Sequence, residues 1–374
     1  MASLRAKFRL FRGFLDGEAA FTGPPWVILE VTRRCNTYCA GCYGRGNLDQ
    51  AGDGDIFNPP QVSPALVDRI CRELPPLGAR EIFLAGRGEP LLHPQVFDFI
   101  RALKAAGFRV HMFTNGILLD ERIAAKIVES PLDDLRVSIW AMDSQEYATL
   151  HPGTNPSHRE RKIEGLYRVL RLRRALGKAL PSVHLHALLN RVNLTGIAER
   201  VRTASDSGCD SLVFGYYRHF GREYEHLCLL PEDAPKLDEA LAQARDALRA
   251  SRIGENVDEY RTLLSLGSET WRRLPCYSGW LQANIMADGK VYPCSHCDMV
   301  VGDLNSQSFA EIWNGERFRE FRRRVSRPGG AAVFGDRCEC KDCCQMKDNL
   351  RVHRVFRWIA PAVRRTRAFR KEEA

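Results

Sequence analysis

The chain has 374 residues, 44% of them hydrophobic, thirteen cysteines and a formal charge of +9; that length can bury a large core and predicts one big domain with a smaller one. The charge sits at the ends, with four basic groups and no acid in residues 1–13 and eight against three in 348–374, so the body is neutral and the composition gives no general argument for nucleic-acid binding. No apolar run reaches the roughly 18 to 20 residues of a membrane span, Arg5, Lys7, Arg9 and Arg12 break up the N-terminal apolar residues, and cysteines without an export signal point to metal or thiol chemistry in the cytoplasm.

In chain order, Leu4, Phe8, Phe11 and Leu15 fall at helical steps and predict a basic amphipathic helix in an extension over 1–24. Apolar, β-rich runs follow at 26–32, 81–86, 109–115, 135–140, 183–190 and 211–217, with helical periodicity between them. Six strand-helix alternations over 25–220 predict a parallel sheet, either open and doubly wound or curled into a partial barrel. Both forms keep ligands at the C-terminal ends of the strands. Residues 221–270 read as a polar helical linker. Residues 271–347 hold seven of the cysteines, an Asp288-Gly289 hairpin turn and a Ser308/Glu311 capping box, and predict a small α+β domain. The basic tail over 348–374 places Val352, Val355, Phe356 and Ile359 at helical spacing.

Directly after the first strand comes VTRRCNTYCAGCYGRG, with Cys35, Cys39 and Cys42 spaced C-x3-C-x2-C. A structural zinc site fills all four positions from the protein, and no fourth Cys or His lies close by. A cubane takes one thiolate per iron, so three cysteines leave one iron free for another ligand. The spacing favours the cluster over zinc or unligated thiols.

The CNTYCAGC stretch resembles the signature of the radical S-adenosylmethionine (SAM) enzymes, in which the open iron chelates the methionine end of SAM. AGRGEPLLHP is similar to that family's glycine-glycine-glutamate-proline segment, with Gly88, Glu89 and Pro90 in place and Arg87 where a first glycine often stands. Gly permits close backbone approach to a ligand, and a carboxylate at Glu89 can pair with the methionine ammonium. By the same resemblance Asn115 and Ser138, at the ends of the third and fourth strands, match cofactor-contacting positions. His151 falls near a place where relatives carry an arginine on the cofactor carboxylate. Gly41 stands where many relatives have an aromatic residue packing on adenine, which leaves Tyr43 as a further cofactor contact. The resemblance covers about residues 25–217. It implies a partial (β/α)6 TIM-like barrel, a SAM-binding 4Fe-4S cluster, and chemistry that begins with one-electron cleavage of SAM to a 5′-deoxyadenosyl radical that abstracts hydrogen from substrate.

The later cysteines resemble the SPASM and twitch auxiliary-cluster domains of that family. One auxiliary 4Fe-4S cluster on Cys276, Cys294, Cys340 and Cys343 fits best, with Cys297, Cys338 and Cys344 spare and a register using Cys338 or Cys344 open; zinc is the alternative. Cys71, Cys209 and Cys228 read as core residues. A fully ligated cluster implies electron transfer and an oxidative product, or a relay from a donor such as flavodoxin or ferredoxin. The substrate is left as a small molecule, a peptide or a lipid, with Tyr216, Tyr217, Arg218 and His219 after the last strand as substrate-facing or packing residues. The basic ends either pack on the barrel or dock on an anionic membrane, with nucleic acid in third place. A non-catalytic iron-sulfur or zinc protein is the reading from another class.

Overall fold

The computed structural model describes residues 4–42, 59–217, 222–251, 253–266, 273–295, 297–330, 334, 343 and 345–357. Ten strands form one sheet: β1 (Trp26–Leu29), β2 (Glu81–Leu84), β3 (Arg109–Thr114), β4 (Asp134–Ser138), β5 (Ser182–Leu189), β6 (Ser211–Tyr216), β7 (Gly254–Glu255), β8 (Gln282–Ile285), β9 (Lys290–Tyr292) and β10 (Gly302–Asp303). Their order is β10-β9-β8-β1-β2-β3-β4-β5-β6-β7. β1 to β7 pair parallel in succession. The first six strands lie where the apolar runs place them, within three residues at either end.

Helices return the chain between these strands, as parallel pairing requires. Their ends carry the expected signals. The Ser63 hydroxyl accepts from the Leu66 N–H before helix Pro64–Leu77, and the Asp120 carboxylate accepts from the Ile123 N–H before helix Glu121–Glu129. One strand face is packed under the helices: Ile82, Met112, Val137, Leu185 and Leu212 are fully buried with Ile100, Ile127, Leu166 and Val201. On the other face, Phe83, Phe113, Arg136, Ser138 and His184 are only partly covered. The architecture is the expected α/β partial barrel of six β/α units, with an inner face that differs from its outer one.

The cysteine-rich region joins the same sheet. β8 pairs parallel with β1, Trp26 opposite Gln282 and Leu29 opposite Ile285, and the β8–β9 hairpin turns at Gly289 with φ +86°. Ser308 and Glu311 form the expected capping box. The polar segment at 221–270 holds helix Ala234–Ala250, which packs on helix Ile197–Ser207, and β7, which extends the sheet past β6. The N-terminal helix Leu4–Asp16 lands on the cysteine-rich region: the Phe14 ring lies 4.9 Å from Tyr277 and 5.7 Å from Trp280, and Phe11 lies 5.3 Å from Phe356 of the C-terminal helical stretch. Among the described residues no helix is long and apolar enough to cross a membrane.

Candidate active site

The cysteine loop leaves β1 and is fixed by its backbone. Arg33 N–H donates to the Pro60 carbonyl at 3.0 Å, Glu89 N–H to the Arg34 carbonyl at 2.8 Å, and Ala40 N–H to the Leu150 carbonyl at 2.8 Å. A tight turn closes from the Cys42 N–H to the Cys39 carbonyl at 3.1 Å, with Gly41 at φ +68°. A left-handed third residue is what such a turn asks of glycine. That accounts locally for a glycine where relatives carry an aromatic. Cys35 is exposed, and Cys39 and Cys42 are half-buried.

The second motif lies against this loop. Gly86 has φ +145° beside Glu30, and a Cβ on Gly88 would overlap the Thr32 carbonyl oxygen. Glu89 is only 2% exposed. One carboxylate oxygen accepts from Thr114 Oγ1 at 2.8 Å and Leu91 N–H at 3.1 Å, and the other from Asn115 N–H at 2.6 Å. Burial raises its pKa against the pull of these donors. A carboxylate has about four acceptor positions, so one remains for a further donor. Arg87, the departure from the family pattern, is a structural cation: its Nε and Nη2 reach the buried Glu30 carboxylate at 2.6 and 3.1 Å. Arg33 joins Glu30 to Asp288 in the hairpin turn, at 2.9 and 3.1 Å.

Of the residues expected at the cofactor, Asn115 touches the loop directly, its Nδ2 donating to Asn36 Oδ1 at 2.7 Å and to Cys35 Sγ at 3.9 Å. Ser138 ends β4 on the partly accessible inner face. His151 is buried, its Nε2 3.1 Å from Lys162 Nζ and its ring stacked on Tyr147 at 4.4 Å. Burial and the neighbouring Lys162 hold its pKa down at about 2, so the imidazole is neutral. Tyr43 lies outside the described residues.

Lys162 was not anticipated. It is fully enclosed; burial lowers its pKa, and Cys39, Cys35 and Glu89 pull it back up. The signal was present, because Lys162 precedes Leu166 and Val169 by four and seven residues, on the face of helix Ser157–Ala175 that periodicity assigns to the core. Around the same loop the buried Tyr217 hydroxyl, Trp140 Nε1 and His151 Nδ1 have no hydrogen-bond partner among the described residues. Tyr216 instead packs on Tyr260 at 4.6 Å, and Arg218 and His219 lie outside the described residues.

The second cysteine group is closed in. Cys276, Cys294, Cys297 and Cys343 are all buried; Cys297 is held in a disulfide, and Cys338, Cys340 and Cys344 lie outside the described residues. Asn349, also missed from sequence, accepts from Tyr277 N–H at 2.6 Å and donates to Cys276 Sγ at 3.9 Å. The Gln345 N–H donates to Cys343 Sγ at 3.3 Å. Cys71 is half-buried and Cys209 and Cys228 are buried. No three described His, Cys, Asp or Glu side chains gather around a single-ion position; a cubane asks instead for one thiolate per iron. Thiols that receive N–H donors, beside a carboxylate and a buried ammonium, fit iron-sulfur groups and a zwitterionic ligand at the first site.

Comparison with known proteins gives the same division. Residues 29–215, half the chain, match the family described as the radical SAM superfamily, and residues 276–344 match the SPASM iron-sulfur cluster-binding domain. The PqqA peptide cyclase of Bradyrhizobium diazoefficiens is 24% identical over 80% of this chain and 75% of its own. The AdoMet-dependent heme synthase of Methanosarcina barkeri is 26% identical over 87% and 91%. The crystal structure of Streptococcus suis SuiB bound to S-adenosylmethionine shares the fold with a TM-score of 0.62 at 16% identity, covering 81% of this chain and 68% of that one. The chain belongs to the radical SAM superfamily, whose members bind SAM at a 4Fe-4S cluster, and it carries a C-terminal SPASM domain for auxiliary iron-sulfur.

Proposed function

We propose that this protein is an oxidative radical SAM enzyme in which Cys35, Cys39 and Cys42 hold the first cluster and Glu89, Asn115, Ser138 and Lys162 receive SAM. The observation that carries the reading is the direct linkage of Cys35, Asn115 and Glu89 by hydrogen bonds, with Lys162 buried behind them. The remaining acceptor position on Glu89 suits an ammonium, and Lys162 suits a carboxylate. Lys162 carries the charge that relatives supply with arginine, and neutral His151 orients it. When bound, SAM supplies one-electron cleavage to a hydrogen-abstracting radical. Trp140, Tyr147 and Tyr217 keep water from that side of the loop. In the SPASM region, Cys276, Cys294, Cys340 and Cys343 would hold a cluster that moves electrons, with flavodoxin or ferredoxin as the class of donor. Residues 25–220, 221–270 and 271–347 serve as core, linker and auxiliary domain, although their strands share one sheet.

The test is anaerobic reconstitution, reduction and assay for 5′-deoxyadenosine. The protein forms it, and the Cys35, Cys39, Cys42 triple alanine variant does not; equal formation by both overturns the reading.

A membrane contact is favoured by one observation. Leu4, Phe8 and Val355 are 85%, 69% and 57% exposed, on two helices joined by the Phe11–Phe356 contact and flanked by exposed Arg5, Lys7, Arg9 and Arg354. A surface of this kind suits an anionic bilayer. Phe8→Glu with Leu4→Glu abolishes co-sedimentation with phosphatidylglycerol vesicles while leaving 5′-deoxyadenosine formation intact. Unchanged sedimentation refutes the contact.

A further inference from the structure

The inner face of the sheet below the cysteine loop is only partly covered, and its chemistry is specific. Closed α/β barrels fill this space with branched apolar side chains in layers. Here it is lined by Phe83, Phe113, Arg136, His186 and Gly215, all partly accessible, while their strand neighbours Leu84, Met112, Leu135, Leu185 and Phe214 are buried. Adding a Cβ at Gly215 would press on Leu188 and the His186 ring, so the glycine makes room for those two side chains.

Arg136 lies at its centre. The guanidinium carbon is 5.1 Å from the Phe113 ring centroid and 5.7 Å from that of Phe83. Its Nε donates to Asp134 Oδ1 at 3.0 Å, and its two terminal nitrogens have no hydrogen-bond partner among the described residues, although the side chain is only 28% exposed. Nearby, His186 Nδ1 is buried without a partner among the described residues, and its ring meets Phe113 edge-on at 5.4 Å. Register sets the depth. Phe113 is opposite Arg136, and Asn115, which touches Cys35, follows Phe113 by two residues, about 6.6 Å along a strand.

We propose that this inner face takes part in holding substrate and that Arg136, itself backed by the Phe83 and Phe113 rings, receives a carboxylate on an organic substrate. The proposal rests on the cofactor reading above, because it places the reacting carbon one strand step nearer the cysteine loop than the carboxylate. The terminal N–H donors of Arg136 are accessible to a ligand, and the guanidinium edge matches a carboxylate in geometry. Asp134 already offsets part of the charge, which suits a monoanion better than a doubly charged phosphate. The aromatic walls favour a planar or apolar neighbour to that group.

The probes are benzoate and benzyl alcohol, which share a ring and differ in the carboxylate, titrated by saturation-transfer NMR into the reconstituted, SAM-loaded enzyme. Benzoate binds at least about tenfold tighter, equivalent to about 1.4 kcal/mol, and Arg136→Gln removes that preference while SAM affinity is unchanged. Equal binding of the two probes, or a preference that survives Arg136→Gln, overturns the proposal. If Arg136→Gln fails to load SAM, Arg136→Lys is read instead: a reduced preference supports the proposal and an undiminished one overturns it. Failure of the wild type to bind SAM would refute the cofactor reading separately.

Discussion

The two cysteine groups differ in exposure, and the difference teaches what each is for. Cys35 is exposed and Cys39 and Cys42 half-buried, in a loop beside a buried carboxylate and a buried ammonium. Cys276, Cys294 and Cys343 are buried, with N–H donors directed at Cys276 and Cys343. In the proposed reading the first arrangement receives an exchangeable zwitterion and the second a resident cluster.

The comparison breaks most readily at the thiols. Replacing Cys35, Cys39 and Cys42 by alanine removes 5′-deoxyadenosine formation to background and about half of the iron. Replacing Cys276 and Cys343 removes the other half but leaves SAM cleavage measurable. If each set of substitutions removed all the iron, the two groups would not be independent.

Lys162 sharpens the contrast within the first site. Lys162→Met weakens SAM binding about ten- to a hundredfold, the worth of a hydrogen bond to a charged group, and Lys162→Arg recovers part of it. Calorimetry on the reconstituted protein reads both, and an unchanged affinity in Lys162→Met would assign the lysine to packing alone.

The smallest effect concerns the inner face below. Asp134 is buried, yet the close His111 and His184 rings and the charge of Arg136 outweigh burial and hold its pKa well below the usual range. His111 is lowered by burial but raised more by Asp134 and Glu81, so its net shift is upward. A depressed acid stabilises above its unfolded pKa of about 4, and that contribution is lost as pH falls. A raised histidine stabilises below its unfolded pKa of about 6.5, and that contribution is lost as pH rises. The stability gap between the wild type and Asp134→Asn is therefore largest between about pH 4 and 6.5, where it is about 1–3 kcal/mol, and narrows on both sides. Denaturant unfolding across pH measures it; a gap independent of pH would contradict the charge assignment.

Much of this was legible in the sequence, for physical reasons. Strands covered by helices read as apolar runs, so β3 was expected at 109–115 and spans Arg109–Thr114. Cys35 and Glu89 were legible because their motifs are local. The parallel pairing of β8 with β1 was not, since it joins residues some 250 positions apart and leaves no local pattern. Lys162 was missed because no local motif singles it out, although its place on the apolar face of helix Ser157–Ala175 marked it. Arg136 and His186 were hidden because a strand's alternation shows two faces without saying which one stays partly accessible. Asn349 was invisible, because only the fold brings it to Cys276.

The central claim, one open cluster and one closed, is tested most directly by electron paramagnetic resonance of the dithionite-reduced protein with and without SAM. The account predicts two 4Fe-4S signals, of which only one changes on adding SAM, and that one is absent from the Cys35, Cys39, Cys42 triple alanine variant. A SAM-responsive signal persisting in that variant, or no response to SAM in the wild type, would contradict it.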